Sequence, residues 1–125
     1  MKLLLRFALA LVLMTSAAVA SDSPPAEAQR MFTALITAIE KSDYPAFQRE
    51  GNPAFQAGIT PQVFNTVSSQ LAPVLKGGYD TTFLTELKQK GLQVFLWKIA
   101  PKSGGDQFVG KLVIEGDKAA GFWIN

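Results

Sequence analysis

The sequence predicts an α+β fold: N-terminal helices packed on one face of a curved four-stranded antiparallel meander sheet. Three observations predict it. As far as Lys76, apolar residues recur at steps of three and four, the period of a helix with one buried face. From Tyr79 onward the period drops to two, the period of a strand. The strand-like runs are joined by turns too short for a crossover, so consecutive strands must run antiparallel. Helices followed by strands, not alternating with them, mean that the helices gather on one face of the sheet.

The elements follow in order. In "SDSPPAEAQRMFTALITAIEKSD", Ser23 is the expected cap and Pro24 and Pro25 suit a first turn, where a missing N–H costs nothing. Ala28, Met31, Phe32, Leu35, Ile36 and Ile39 share one face, and Arg30, Thr33, Thr37 and Lys41 take the other. A short second helix begins at Asp43 or Tyr44 before Pro45 and ends at Gly51-Asn52. "PAFQAGI" reads as a connector turning at Gly58. In the next helix Thr60 caps and Pro61 takes the first position, with Val63, Phe64, Val67, Leu71, Val74 and Leu75 as the buried stripe. Pro73 is expected to bend or tighten its last turn, and Gly77-Gly78 stops it. The first strand places Phe83, Thr85 and Leu87 on one face. "LQVFLWKIA" is apolar on both faces, which marks a central strand, with Phe95, Trp97 and Ile99 opposite Leu92, Val94 and Leu96. "PKSGGD" is a loop and "QFVGKLVIE" the third strand. Gly116-Asp117 is a two-residue hairpin turn leading into "KAAGFWIN". Alternation separates Ala120, Phe122 and Ile124 from Gly121 and Trp123, without saying which set faces the helices.

The first 20 residues have the layout of a secretory signal: Lys2 and Arg6, an apolar run from Phe7 to Met14, then Ala18-Val19-Ala20. Cleavage is expected after Ala20, leaving one α+β domain over residues 21–125 in the periplasm or outside the cell. The apolar run is shorter than the roughly 20 residues that span a bilayer. With no cysteine to lipidate, no membrane anchor is expected after cleavage. Lys2 and Arg6 account for two of the 12 basic residues, so the remaining 10 balance the 10 acidic ones. No basic stripe remains to suggest a nucleic-acid partner.

The chain has neither cysteine nor histidine. That excludes a Ser-His-Asp triad, a cysteine nucleophile, histidine-ligated zinc and an imidazole proton shuttle. No cofactor or metal site is expected. "GDQFVGKL", Gly105 to Leu112, approaches the phosphate-cradling loop, but Leu112 replaces the hydroxyl that would hold magnesium, and a strand follows where a helix is required. Phe95, Trp97, Phe122 and Trp123 are either core or the walls of an apolar pocket with an indole N–H to orient a ligand. Glu86 lies within a strand near Tyr79 and Asp80 and is the carboxylate available for proton transfer. The sheet face opposite the helices must meet a ligand, a partner or a second copy. Trp123, with room beside it at Gly121, makes a homodimer across that face the expectation.

A long helix, a short one, a "TPQVF" helix ending in "LAPVLKGGY", and a meander with "VFLWKI…GGD…GKLVIEGDKAAGFWI" resemble the nuclear transport factor 2-like, cystatin-like cone superfamily, and within it small exported bacterial proteins. The resemblance covers nearly all of residues 21–125. It implies a cone that serves either in isomerases, dehydratases and polyketide cyclases or in non-enzymatic dimerisation and ligand-holding modules. The enzymes of that superfamily place Asp, Tyr and often His inside the cone, and this chain has no His. The expectation is therefore an exported, non-catalytic binding or dimerisation module for a small apolar ligand or a protein partner. The alternative is an isomerase- or cyclase-like enzyme using Glu86 or Asp80 with Tyr79.

Overall fold

In the computed structural model, residues 23–125 are described. The leader expected over residues 1–20 and its expected cleavage site fall outside them. The order is α1 (Ala26–Glu40), α2 (Tyr44–Arg49), α3 (Pro53–Gly58), α4 (Pro61–Lys76), then β1 (Tyr79–Gln89), β2 (Leu92–Pro101), β3 (Phe108–Glu115) and β4 (Lys118–Ile124). The strands form one antiparallel sheet in the order β1-β2-β3-β4. This is the predicted α+β arrangement. No helix among the described residues is long and apolar enough to cross a membrane.

All six residues of the predicted apolar face of α1 are buried, together with Ala38. The helix starts later than its capping residues suggested: Pro25 is extended at the N-cap and no side chain caps the helix. The double proline explains this, because a residue preceding proline is driven out of the helical region, which disfavours helix at Ser23 and Pro24. At the other end, Ser42 adopts a left-handed φ of 55°. Asp43 N–H donates to Ala38 O at 2.8 Å and Ser42 N–H to Ile39 O at 3.2 Å, the two bonds of a Schellman cap. Glycine is the usual residue here. The serine is held by a hydroxyl relay: buried Ser68 Oγ donates to Ile39 O at 2.8 Å, so Ser42 Oγ, 2.6 Å from Ser68 Oγ, donates to it. The relay fastens the end of α1 to the middle of α4.

The connector expected over "PAFQAGI" is helix α3. Asn52 caps it by accepting from Phe55 N–H at 2.9 Å, and Pro53 occupies the first turn. Six residues are too few for apolar periodicity to reveal a helix, but the Asn-Pro start was a readable signal. In α4 the capping by Thr60 is as predicted, and the helix runs through Pro73 to Lys76 before Gly77 ends it. Its buried stripe is rotated from the expected one, comprising Phe64, Ser68, Ala72 and Leu75. Val63 and Val67 are 49% and 37% exposed on the flank. Counting Ser68 as polar hid it from the stripe, although its hydroxyl is satisfied by backbone.

In the sheet, Lys90 and Gly91 both take positive φ, 54° and 78°, which gives the β1–β2 hairpin the twist its strands need. Gly116, with φ 65°, leads the β3–β4 turn as predicted. A bulge between Phe83 and Thr85 breaks the register of β1. Phe83, paired with Trp97, therefore faces the helices, whereas Thr85 and Leu87, paired with Leu96 and Val94, face away. A second bulge interrupts β4 at Ala120, between the pairs Val113–Gly121 and Ile114–Ala119. Bulges bend and twist the strands that carry them.

The core lies between α1 and the inner face of the sheet. Phe95, Trp97, Ile99, Leu112, Ile114 and Phe122 meet Met31, Phe32, Leu35 and Ile36 there. The Phe32 ring stacks on Trp97 with centroids 4.1 Å apart and planes 7° from parallel. Gly110, the β3 partner of Trp97, makes this possible: a Cβ there would stand 2.9 Å from Phe32 Cε1.

Candidate functional site

The structure separates the six aromatic and acidic residues singled out from the sequence. Phe95 and Trp97 are core, each 1% exposed. Trp97 Nε1–H donates to Gln29 Oε1 at 3.2 Å, so its polar handle is engaged within the fold. Neither residue is a pocket wall.

Tyr79, Asp80 and Glu86 do not form a site. Tyr79 packs against the core edge. Burial, and to a lesser degree the Glu40 carboxylate, raise its phenol above the ordinary value. Asp80 is the next residue along the strand, exposed and directed to the opposite face. Glu86 is exposed and accepts from Gln93 Nε2 at 3.3 Å. Seven residues of strand separate Glu86 from Tyr79, roughly 23 Å at 3.3 Å per residue.

Phe122 and Trp123 lead to a different place. Phe122 and Ile124 belong to the set facing the helices, which settles the alternation left open by the sequence: Phe122 is core and Ile124 packs against it. Trp123 projects from the other face and is 50% exposed. The space above Gly121 is not vacant, since any side chain there would collide with the Trp123 ring. Lys111 Nζ sits 5.3 Å from the centroid of that ring, a cation–π contact. Val94 and Val113, on the same face, are buried.

Between β4 and the pair α3/α4 runs a groove of about 420 Å³. Its floor is aromatic. Phe47 lies centrally, with ring centroids 5.2 Å from Phe55, 5.0 Å from Phe64 and 6.2 Å from Phe122. Ile59, Val63 and Val67 form the helical wall, and Ala120 to Ile124 form the other. Every lining residue is Gly, Ala, Val, Ile, Phe or Trp. No side chain in it can donate or accept a proton at ordinary pH.

A hydrogen-bonded clasp positions the helical wall. Tyr44 Oη–H donates to Ile59 O at 2.6 Å. Gln48 Nε2 donates to Tyr44 Oη at 2.7 Å and to Gln56 O at 2.9 Å, and Gln56 Nε2 returns a bond to Gln48 O at 2.9 Å. The clasp fixes α3 and Ile59 against α2. Sequence reasoning missed this wall, because Val63 and Val67 read as core and α3 as a loop. The stretch "AFQAGI" carried the signal, with Phe55 and Ile59 at a four-residue step.

The polar chemistry in the groove belongs to the backbone of β4. Val109 and Asn125 exchange both N–H···O bonds, at 2.8 and 3.0 Å. With Lys111 paired to Trp123 and Val113 to Gly121, the ladder rule directs the N–H and C=O of Gly121, Trp123 and Asn125 towards β3. Those of Phe122 and Ile124 point outward. Ala119 also points outward, and there Glu50 O and Asn52 N–H engage it at 2.9 Å each. Beyond this single parallel bridge, Gly51 to Ala119, the chain turns away into α3. Among the described residues, nothing pairs with Phe122 or Ile124 outward.

Sequence comparison finds no protein-family model and no curated protein that matches this chain.

Proposed function

We propose that this domain is an exported, non-catalytic binding module that holds an apolar occupant, a small ligand or a segment of a partner, in the groove between β4 and α3/α4. The observation that carries this reading is the lining: about 420 Å³ enclosed by apolar residues alone, within the 300–1,000 Å³ typical of ligand sites. Catalysis would need a proton donor, a nucleophile or an electrophile beside the occupant, and no lining side chain supplies one. The cone-like resemblance, in its non-enzymatic branch, agrees with this. The leader expected over residues 1–20 supports an extracytoplasmic setting, and exported protein should begin at Ser21 by intact mass.

Titration with an environment-sensitive apolar dye tests the groove. Saturable binding at one site, weakened at least tenfold by Val67→Asp, is the expected result. Val67 is already exposed, so that variant keeps its melting temperature. Absence of saturable binding by dye, palmitate and extended apolar peptide alike would overturn the reading.

A second reading, a homodimer across the outer face, rests on Trp123 at 50% exposed, with Leu87 and Val109 at 40% and 39% on the same side. Sedimentation of the chain and of Trp123→Glu distinguishes it: a dimer that becomes a folded monomer supports it, and a wild-type monomer at tens of micromolar rejects it.

A further inference from the structure

We infer that the vacant length of the β4 edge takes an extended segment of a partner polypeptide as a fifth strand, whose alternate side chains fill the groove. This rests on the reading of the groove as a binding site and specifies its occupant.

Three features select an extended peptide over other apolar occupants. First, Phe122 and Ile124 turn two N–H donors and two C=O acceptors outward, about 6.6 Å apart along the strand. An acyl chain or other apolar small molecule lying on the edge would strip water from these groups and return no hydrogen bonds, which is costly. An extended peptide satisfies all four in the geometry of a sheet. Second, the fifth-strand position is already begun by the chain itself. Asn52 N–H and Glu50 O bond to Ala119 at 2.9 Å, and the position falls empty where the chain enters α3. A partner segment would continue an existing row. Third, the lining is uncharged. Side chains of the segment on the helix-facing side would lie against Val63, Val67 and the aromatic floor, where a charge would be buried without a counter-ion. The segment is thus apolar at every second residue, and the intervening residues pass beside Trp123.

A second copy of this chain fits the edge less well. The apolar surface still open there is half of the Trp123 side chain, roughly 100 Å², with parts of Val63 and Val67. A stable dimer buries about 800 Å² per partner. A short segment inserted into the groove does not depend on that flat area.

The experiment uses the purified chain and a fluorescein-labelled peptide of eight alternating valines and threonines with terminal lysines. Two derivatives carry N-methyl groups, one on every valine amide and the other on every threonine amide. Palmitate binding and sedimentation of the chain alone are measured in parallel. Saturable binding of the parent peptide is expected, lost at least tenfold in one N-methylated derivative and retained in the other, since only one set of amides faces β4. Val67→Asp should weaken the parent at least tenfold with unchanged thermal melting. Equal binding of all three peptides, or binding of palmitate without any peptide, overturns strand addition and leaves the groove reading standing. If neither peptide nor palmitate binds, both readings fall. A dimer of the chain alone that Val67→Asp dissociates makes a second copy the occupant and overturns the partner segment.

Discussion

Trp97 and Trp123 are the same residue type on one sheet, and their surroundings have little in common. Trp97, on β2, lies between strands on both sides and under α1. Its ring is stacked on Phe32 and met edge-on by Phe83 at 5.5 Å, and its N–H is bonded to Gln29. Trp123 belongs to the outermost strand, lies over Gly121 and keeps half its surface in water. The difference comes from strand position more than from hydrophobicity. An inner strand has its backbone completed by two neighbours and one face sealed by a helix. An edge strand keeps a row of unpaired backbone groups, which proteins normally cover or blunt. Here the cover stops at Ala119.

The two tryptophans should differ most in a pair of alanine substitutions. Trp97→Ala should cost about 3–5 kcal/mol, the range for large aromatic truncations in a core. Trp123→Ala should stay within about 0.5 kcal/mol, as surface changes do. Urea unfolding of both checks this, and equal losses would erase the distinction. An intermediate effect belongs to the relay joining α1 and α4. Ser68→Ala removes the bond to Ile39 O and the partner of Ser42, and should cost about 1–1.5 kcal/mol. The smallest effect is at Tyr79. Its phenol is raised in the folded state by burial first and by Glu40 second. The folded chain therefore holds that proton more tightly than the unfolded chain. The resulting stability is present below the ordinary value of 10.0 and is lost as pH rises through the folded value. Melting curves taken from pH 8 to pH 11 should show a decline that Tyr79→Phe reduces.

The same comparison explains what could be read from sequence. In the elements with strong periods, α1 and β2, the buried faces were legible, because each buries a continuous apolar stripe. The hairpin at Gly116-Asp117 was legible from turn chemistry. The two bulges were not: the sets of alternating residues assume unbroken register, and one inserted residue, Leu84, moved Thr85 and Leu87 to the face opposite Phe83. The groove was missed for a related reason. Val63 and Val67 look like core at helical spacing, and only the satisfied hydroxyl of Ser68 shows that the buried stripe of α4 runs elsewhere. Phe122 and Trp123 were singled out for their side chains, but what makes β4 a candidate site is backbone, which side-chain patterning does not display.

Amide hydrogen exchange along β4, resolved residue by residue by NMR, reads directly whether this edge is open. The ladder predicts an alternation: Gly121, Trp123 and Asn125, whose N–H groups point to β3, exchange slowly, while Phe122 and Ile124 exchange fast, and the bound Val-Thr peptide slows those two selectively. Protection of Phe122 and Ile124 equal to that of Trp123 in the free chain would mean that the edge is already paired and has no place for a fifth strand.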